Sequence, residues 1–232
     1  LEREQEREAP EEDFMRNWLS TSTLGFLFAV PVTAATSLSV TSGAALQGSF
    51  GLQVNFDGAG GNAYVQDNSP NNEAEYWASL RINDTGVTFQ TGGNFQIFRA
   101  FTDDAGSQTV FRVTLLEAST PGGNYRIRVL PRLDSGAFHP TGYEVAVQTS
   151  TPPPANQRFT FEWKAATAPG ANNGRMVTYR NGVLRKQITN LDNDTLRVGM
   201  IRMGGFGNTT SVQAGSVLYL DDFVSTRTNH LP

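Results

Sequence analysis

The sequence predicts an all-β protein: a two-sheet antiparallel jelly-roll sandwich with a non-sandwich N-terminal extension. Three observations predict it. Short segments of alternating apolar and polar residues recur at intervals of roughly 8–12 residues, separated by turn signals. Glycine (23) and proline (11) are frequent, and phenylalanine, at 15, is the leading aromatic in a chain of 232 residues, which is the composition of short strands and turns around an aromatic core. No stretch shows helical periodicity with caps at both ends. Without internal repeats, the pattern specifies a sandwich in preference to a propeller or solenoid.

The strands follow in order. Phe50, Leu52, Val54 and Phe56 alternate with Gly51, Gln53 and Asn55, the period-2 pattern of a strand with one buried face, and Gly58-Ala59-Gly60-Gly61 turns the chain. Tyr76, Ala78, Leu80 and Ile82 repeat the pattern, closed by Asn83-Asp84-Thr85-Gly86. Phe95, Ile97, Ala100 and Phe101 end at Asp103-Asp104-Ala105-Gly106. Val110–Leu116 and Tyr125–Leu133 read as a hairpin, with Tyr125, Ile127, Val129 and Leu133 inward and Arg126, Arg128 and Arg132 outward. Residues 142–148 form a further strand, stopped by Pro152-Pro153-Pro154, which cannot donate to a ladder. Phe159, Phe161 and Trp163 point inward on the next. Asn181-Gly182 then joins Met176–Arg180 to Val183–Arg185 through a two-residue type I′ turn, whose central positions both need positive φ. Leu196–Met203 and Ser216–Ser225 complete the fold. A single domain over residues 36–232 is expected, because strand density is equal on both sides of the triple proline.

Residues 1–35 read differently. Leu1–Asp13 is a solvated charge run. The first 36 residues hold three arginines against seven acidic residues and so carry the whole net charge of −4, while the remainder is neutral. A neutral β-domain without a basic stripe argues against nucleic acid as a partner. Met15-Arg16-Asn17-Trp18, the apolar Leu24–Val32 and the small residues Thr33-Ala34-Ala35 have the layout of a secretory signal, and the apolar run is too short to span a bilayer. Secretion or display at the cell surface is the expectation, and one explanation of the layout is that translation begins at Met15. If the segment is retained, residues 18–35 become the first strands or a docking arm for self-association or for a membrane surface.

Reactive chemistry is sparse. There is no cysteine, hence no disulfide framework and no thiolate site. His139 and His230 are isolated, and no G-x-S-x-G elbow occurs, which argues against zinc and against nucleophilic catalysis. Glu73-Ala74-Glu75 is the nearest approach to the paired carboxylates a glycosidase needs, but it lies in a loop and lacks a third acid. Glu144 and Glu162 stand singly on strands, as solvent-facing partners for arginine. Asp192-Asn193-Asp194 has the spacing of an Asx turn. Asp221 and Asp222 are more informative, because strand neighbours point to opposite faces. The alternation Leu218, Leu220, Asp222, Val224 places Asp222 on the core side, where it needs a partner: an arginine or backbone amides first, calcium second. Asp222 is therefore the candidate metal ligand, and calcium the one metal the residues leave open.

Tyr179-Arg180-Asn181-Gly182-Val183, Leu191-Asp192-Asn193-Asp194-Thr195, Val198–Gly204 and Leu218–Val224, with Phe159–Trp163, resemble bacterial extracellular domains of the concanavalin A-like (laminin-G-like) lectin and glucanase jelly-roll superfamily. The likeness runs over residues 38–227 or so. It implies two antiparallel sheets and a concave face that in relatives binds glycans, often beside calcium, but it fixes no function. The glucanases of this superfamily use E-x-D-x-x-E or E-x-D-x-E on a strand, and neither occurs. The expectation is a non-enzymatic extracellular carbohydrate-recognition or adhesion module whose partner is a glycan or other cell-surface component. A structural subunit of a surface layer or fibre and a jelly-roll glycoside hydrolase are the alternatives. Exposed aromatics that stack on sugar rings are sought at Trp77, Tyr64 and Tyr143.

Overall fold

A computed structural model describes residues 36–117, 125–140, 143–146, 156–227 and 231, with the side chains of 143–146 excluded. The N-terminal extension, the Thr120–Asn124 turn and the triple proline lie outside the described residues. Among the described residues, thirteen strands form two antiparallel sheets. They are β1 (Thr36–Thr41), β2 (Gly51–Phe56), β3 (Ala63–Asp67), β4 (Glu75–Gly86), β5 (Asn94–Phe101), β6 (Thr109–Leu116), β7 (Arg126–Pro131), β8 (Tyr143–Ala146), β9 (Gln157–Lys164), β10 (Gly174–Arg180), β11 (Val183–Leu191), β12 (Met200–Phe206) and β13 (Val217–Thr226). The seven-stranded sheet runs β1-β2-β13-β4-β9-β10-β11 and the six-stranded sheet β3-β12-β5-β6-β7-β8.

Alternation fills the space between the sheets. Tyr76, Ala78, Leu80 and Ile82 of β4 and Phe159, Phe161 and Trp163 of β9 are buried, facing Phe98, Phe111, Val113, Ile127 and Val129 of the other sheet. Phe98 stacks on Phe111 at 5.7 Å and Phe111 on Trp163 at 5.9 Å, offset aromatic contacts that add to simple burial. The Asn181-Gly182 turn has φ of 51° and 74°, and Arg180 pairs with Val183, as a type I′ hairpin requires. Gly204 sits at φ 151° on β12, where a Cβ would lie 2.3 Å from the Ala63 carbonyl oxygen; the bare backbone lets β3 close on β12.

The stretch Ala63–Asp67, to which the sequence pattern assigned no element, is a strand, an edge of the six-stranded sheet. Two expectations are corrected. Phe50 precedes β2 and is 45% exposed, so the buried face of that strand begins at Leu52. At the end of the chain the inward and outward roles of the acidic pair are reversed. A β-bulge falls between Asp221 and Val224, and Asp222 adopts φ 51°, so alternation fails where it was counted on. Asp221 is the buried residue, 1% exposed, and accepts hydrogen bonds from the amides of Leu46 and Gln47, both at 2.7 Å. The Asp222 side chain is 19% exposed and pairs with Arg81 at 3.0 Å and with Arg158.

Candidate functional site: the outer face of the six-stranded sheet

Because β5, β6, β7 and β12 bury one set of side chains, the alternate set lines the outer face of their sheet. On β5 a bulge between Gln96 and Phe98 puts both Ile97 and Phe98 in the core. Gln96 and Arg99 are thereby left outside, and the Arg99 Nε donates to Gln96 Oε1 at 2.7 Å. On β6 the alternation Phe111, Val113, Leu115 inward leaves Arg112, Thr114 and Leu116 on the outer side. On β7 Ile127 and Val129 inward leave Arg126, Arg128 and Leu130 outward, as the sequence predicts. Between them lies a cleft of about 250 Å³, lined by Asn94, Gln96, Arg112, Thr114, Arg128 and Leu130 among others.

The registers align arginines across the sheet. Gln66 of β3 is opposite Arg202 of β12, Arg202 is opposite Arg99 of β5, and Arg99 is opposite Arg112 of β6. Each guanidinium rests on an aromatic ring. Arg202 lies 4.6 Å from the Tyr64 centroid and 4.9 Å from that of Phe101; Arg99 lies 5.4 Å from Phe101 and 5.5 Å from Phe206; Arg112 lies 4.3 Å from Phe138. Cation–π contact offsets part of the cost of burying these charges. Burial, and then the Arg112 and Arg202 charges, pull the Arg99 pKa below its ordinary value; burial, and then Arg128, do the same to Arg112.

The sequence-predicted residues are scattered by comparison. Trp77 belongs to the seven-stranded sheet and is 6% exposed, so no ring face is open to a sugar there. Tyr64 does lie on the arginine-bearing face, on β3, with its ring covered by Arg202 and edge-on to Phe206 at 5.9 Å. Tyr143 begins β8 opposite Val129, and its side chain lies outside the described residues. Asp222, the candidate metal ligand, is compensated by two arginines, the first of the partners expected for it. Glu162, expected at the surface, is 4% exposed and paired with Arg175. Glu73 and Glu75 pair with Arg227, at 3.6 Å, and with Lys164. Oxygens that could serve a hard cation come together elsewhere: a carboxylate oxygen from each of Asp134, Asp192 and Asp194 lies within 4.8 Å of the others. Partial desolvation and the adjoining Asp134 raise the Asp194 pKa. Asp134 also accepts a hydrogen bond from the Thr195 amide at 3.3 Å.

Sequence reasoning missed the arginine row itself. Its signal was present as the triplets Phe98-Arg99-Ala100, Phe111-Arg112-Val113 and Ile201-Arg202-Met203, each an arginine outward between two inward apolar residues.

No protein-family model and no curated protein matches this sequence. Solved structures do match. An endo-β-1,4-glucuronan lyase from the fungus Trichoderma reesei superposes with a TM-score of 0.59 at 14% identity, covering 87% of this chain and 92% of its own. The cellulose-induced protein Cip1 gives 0.55 at 16% identity, over 85% and 91%. The alginate lyase Aly36B gives 0.56 at 15% identity, over 79% and 84%. The shared fold is a two-sheet jelly-roll β-sandwich. Identities this low carry the architecture and leave the chemistry to the residues of this chain.

Proposed function

We propose that this protein is a carbohydrate-binding module that holds a segment of polysaccharide in the cleft across its six-stranded sheet, without cleaving it. The observation that carries the reading is the lining of that cleft. The Asn94 and Gln96 amides and the Thr114 hydroxyl both donate and accept hydrogen bonds, and they stand beside the aliphatic Leu116 and Leu130 and the donors of Arg112 and Arg128. Such a mixture suits a sugar, which offers hydroxyls at its rim and C–H groups on its faces. Two of the structurally similar proteins, the glucuronan lyase and the alginate lyase, act on polysaccharides, which supports the same class of ligand. Binding without turnover is favoured because, among the described residues, the lining side chains include no carboxylate, histidine, lysine or tyrosine to move a proton. The signal-like segment before Thr36 supports a place outside the cytoplasm, where such a ligand is met.

The test is affinity electrophoresis of the full chain through gels containing soluble polysaccharides, with parallel assays for new reducing ends and unsaturated products. Retardation by a polysaccharide, lost when Thr114→Trp fills the cleft, and no product are expected. Retardation that survives Thr114→Trp would move the site elsewhere, and steady product release would replace the binding module by an enzyme.

A further inference from the structure

We propose that the polysaccharide is polyanionic, rich in hexuronate, and that the row Arg202, Arg99 and Arg112 selects it by pairing with sugar carboxylates. This rests on the reading of the cleft as a glycan site. It is carried by a local imbalance of charge. The three arginines face one another directly on adjacent strands, about 4.8 Å apart in the direction of the hydrogen bonds, and like charges so opposed destabilise a sheet. Among the described residues no carboxylate forms an ion pair with any of them. Their protein partners are neutral: Gln96 for Arg99, Gln66 at 2.8 Å for Arg202, and aromatic faces for all three. The Arg112 Nε is buried with no acceptor at all.

On the other sheet the same motif is compensated. Arg81 and Arg158 are also directly opposed, and Asp222 binds both. What Asp222 does there must come from outside on the six-stranded sheet. Guanidiniums within 4.3–5.5 Å of aromatic ring centroids are planar forks whose donor pairs match a planar carboxylate in bidentate fashion, better than they match a tetrahedral sulfate. Nucleic acid fits less well: the rings of Tyr64, Phe101, Phe206 and Phe138 are occupied by guanidiniums and do not offer bases a stacking platform.

The experiment measures affinity of the full chain by calorimetry for polyglucuronate, for the same polymer with its carboxyls reduced to hydroxymethyls, for dextran sulfate and for single-stranded DNA. The variants are Arg99→Met/Arg112→Met, in which the methionines keep apolar contact with the rings, and Arg99→Lys/Arg112→Lys, which keeps the charge without the fork. Polyglucuronate is expected to bind at least tenfold more tightly than its reduced form and than dextran sulfate. The methionine pair should lose at least tenfold and the lysine pair an intermediate amount, with circular dichroism confirming that each folds. Equal affinity for both forms of the polymer, unaffected by the methionine pair, would overturn the selection of acid and leave the glycan site standing. Affinity that follows charge density alone, with dextran sulfate and DNA the best ligands, would overturn pairing with carboxylates. No binding of any glycan by the folded wild type would overturn both.

Discussion

The two outer faces of the sandwich treat charge in opposite ways. On the seven-stranded sheet Arg81 and Arg158 share Asp222, Arg175 holds Glu162, and Lys164 holds Glu75. On the six-stranded sheet Arg202, Arg99 and Arg112 stand in a row whose partners, among the described residues, are glutamines and aromatic rings. These charges on the first face are paired within the chain, and Asp221 ties the loop at Leu46 and Gln47 to the sheet. The second has donors to spare. On the proposed reading, groups that stabilise the fold are those already paired within the chain, and groups kept for a ligand are those that a neighbouring side chain could have neutralised but does not.

If that contrast is right, breaking the paired face should cost most. Asp221→Ala strands the Leu46 and Gln47 amides beneath the loop, and should destabilise by about 3 kcal/mol, lowering Tm by roughly 6–12 °C. Asp84 sharpens the contrast from inside the core. It is 4% exposed, one carboxylate oxygen has no hydrogen-bond partner, and burial raises its pKa from 3.8 to about 6. A carboxyl whose folded pKa is raised favours the fold when protonated, so its contribution is fully present below pH 3.8 and is lost as pH climbs to about 6. Asp84→Asn should therefore stabilise at pH 7 by about 2 kcal/mol relative to its effect at pH 4, read as the difference between two urea titrations. A substitution whose effect is the same at both pH values would mean that Asp84 has a partner in solution. Next in size, Asp222→Asn releases two arginines at once and should cost about 1–2 kcal/mol, more than the exposed position of the pair would suggest. A change under about 0.5 kcal/mol would erase the distinction between the two faces.

Much of the paired architecture was legible in the residues. Alternation gave the inward sets of β4, β7 and β9 correctly, and Asn181-Gly182 gave its hairpin, because both signals are local. Asp221 and Asp222 were misassigned for an equally local reason: counting by twos presumes an unbroken ladder, and the bulge at Asp222 adds one residue. The arginine row was hidden for a different reason. Arg99, Arg112 and Arg202 become neighbours only through the order β12-β5-β6, and overall neutrality says nothing about how charges of one sign are gathered on one face. Trp77 fails as a sugar platform because its neighbours on the seven-stranded sheet leave little of it exposed, which composition cannot reveal.

The smallest effect is the most direct test of the central claim, because it is one of sign. Arg81 and Arg99 are each half-buried, each directly opposite another arginine, and differ in having a carboxylate partner. Thermal melts of Arg81→Met and Arg99→Met at low ionic strength compare the same substitution on the two faces. Arg81→Met should lower Tm by about 2–8 °C, the equivalent of about 1–2 kcal/mol, as Asp222 loses one of its two partners. Arg99→Met should leave Tm unchanged or raise it by up to about 3 °C, because relief from Arg202 and Arg112 offsets the hydrogen bonds to Gln96, and the gain should shrink as salt screens the row. A fall for Arg99→Met as large as that for Arg81→Met would contradict the account, since the row would then serve the fold.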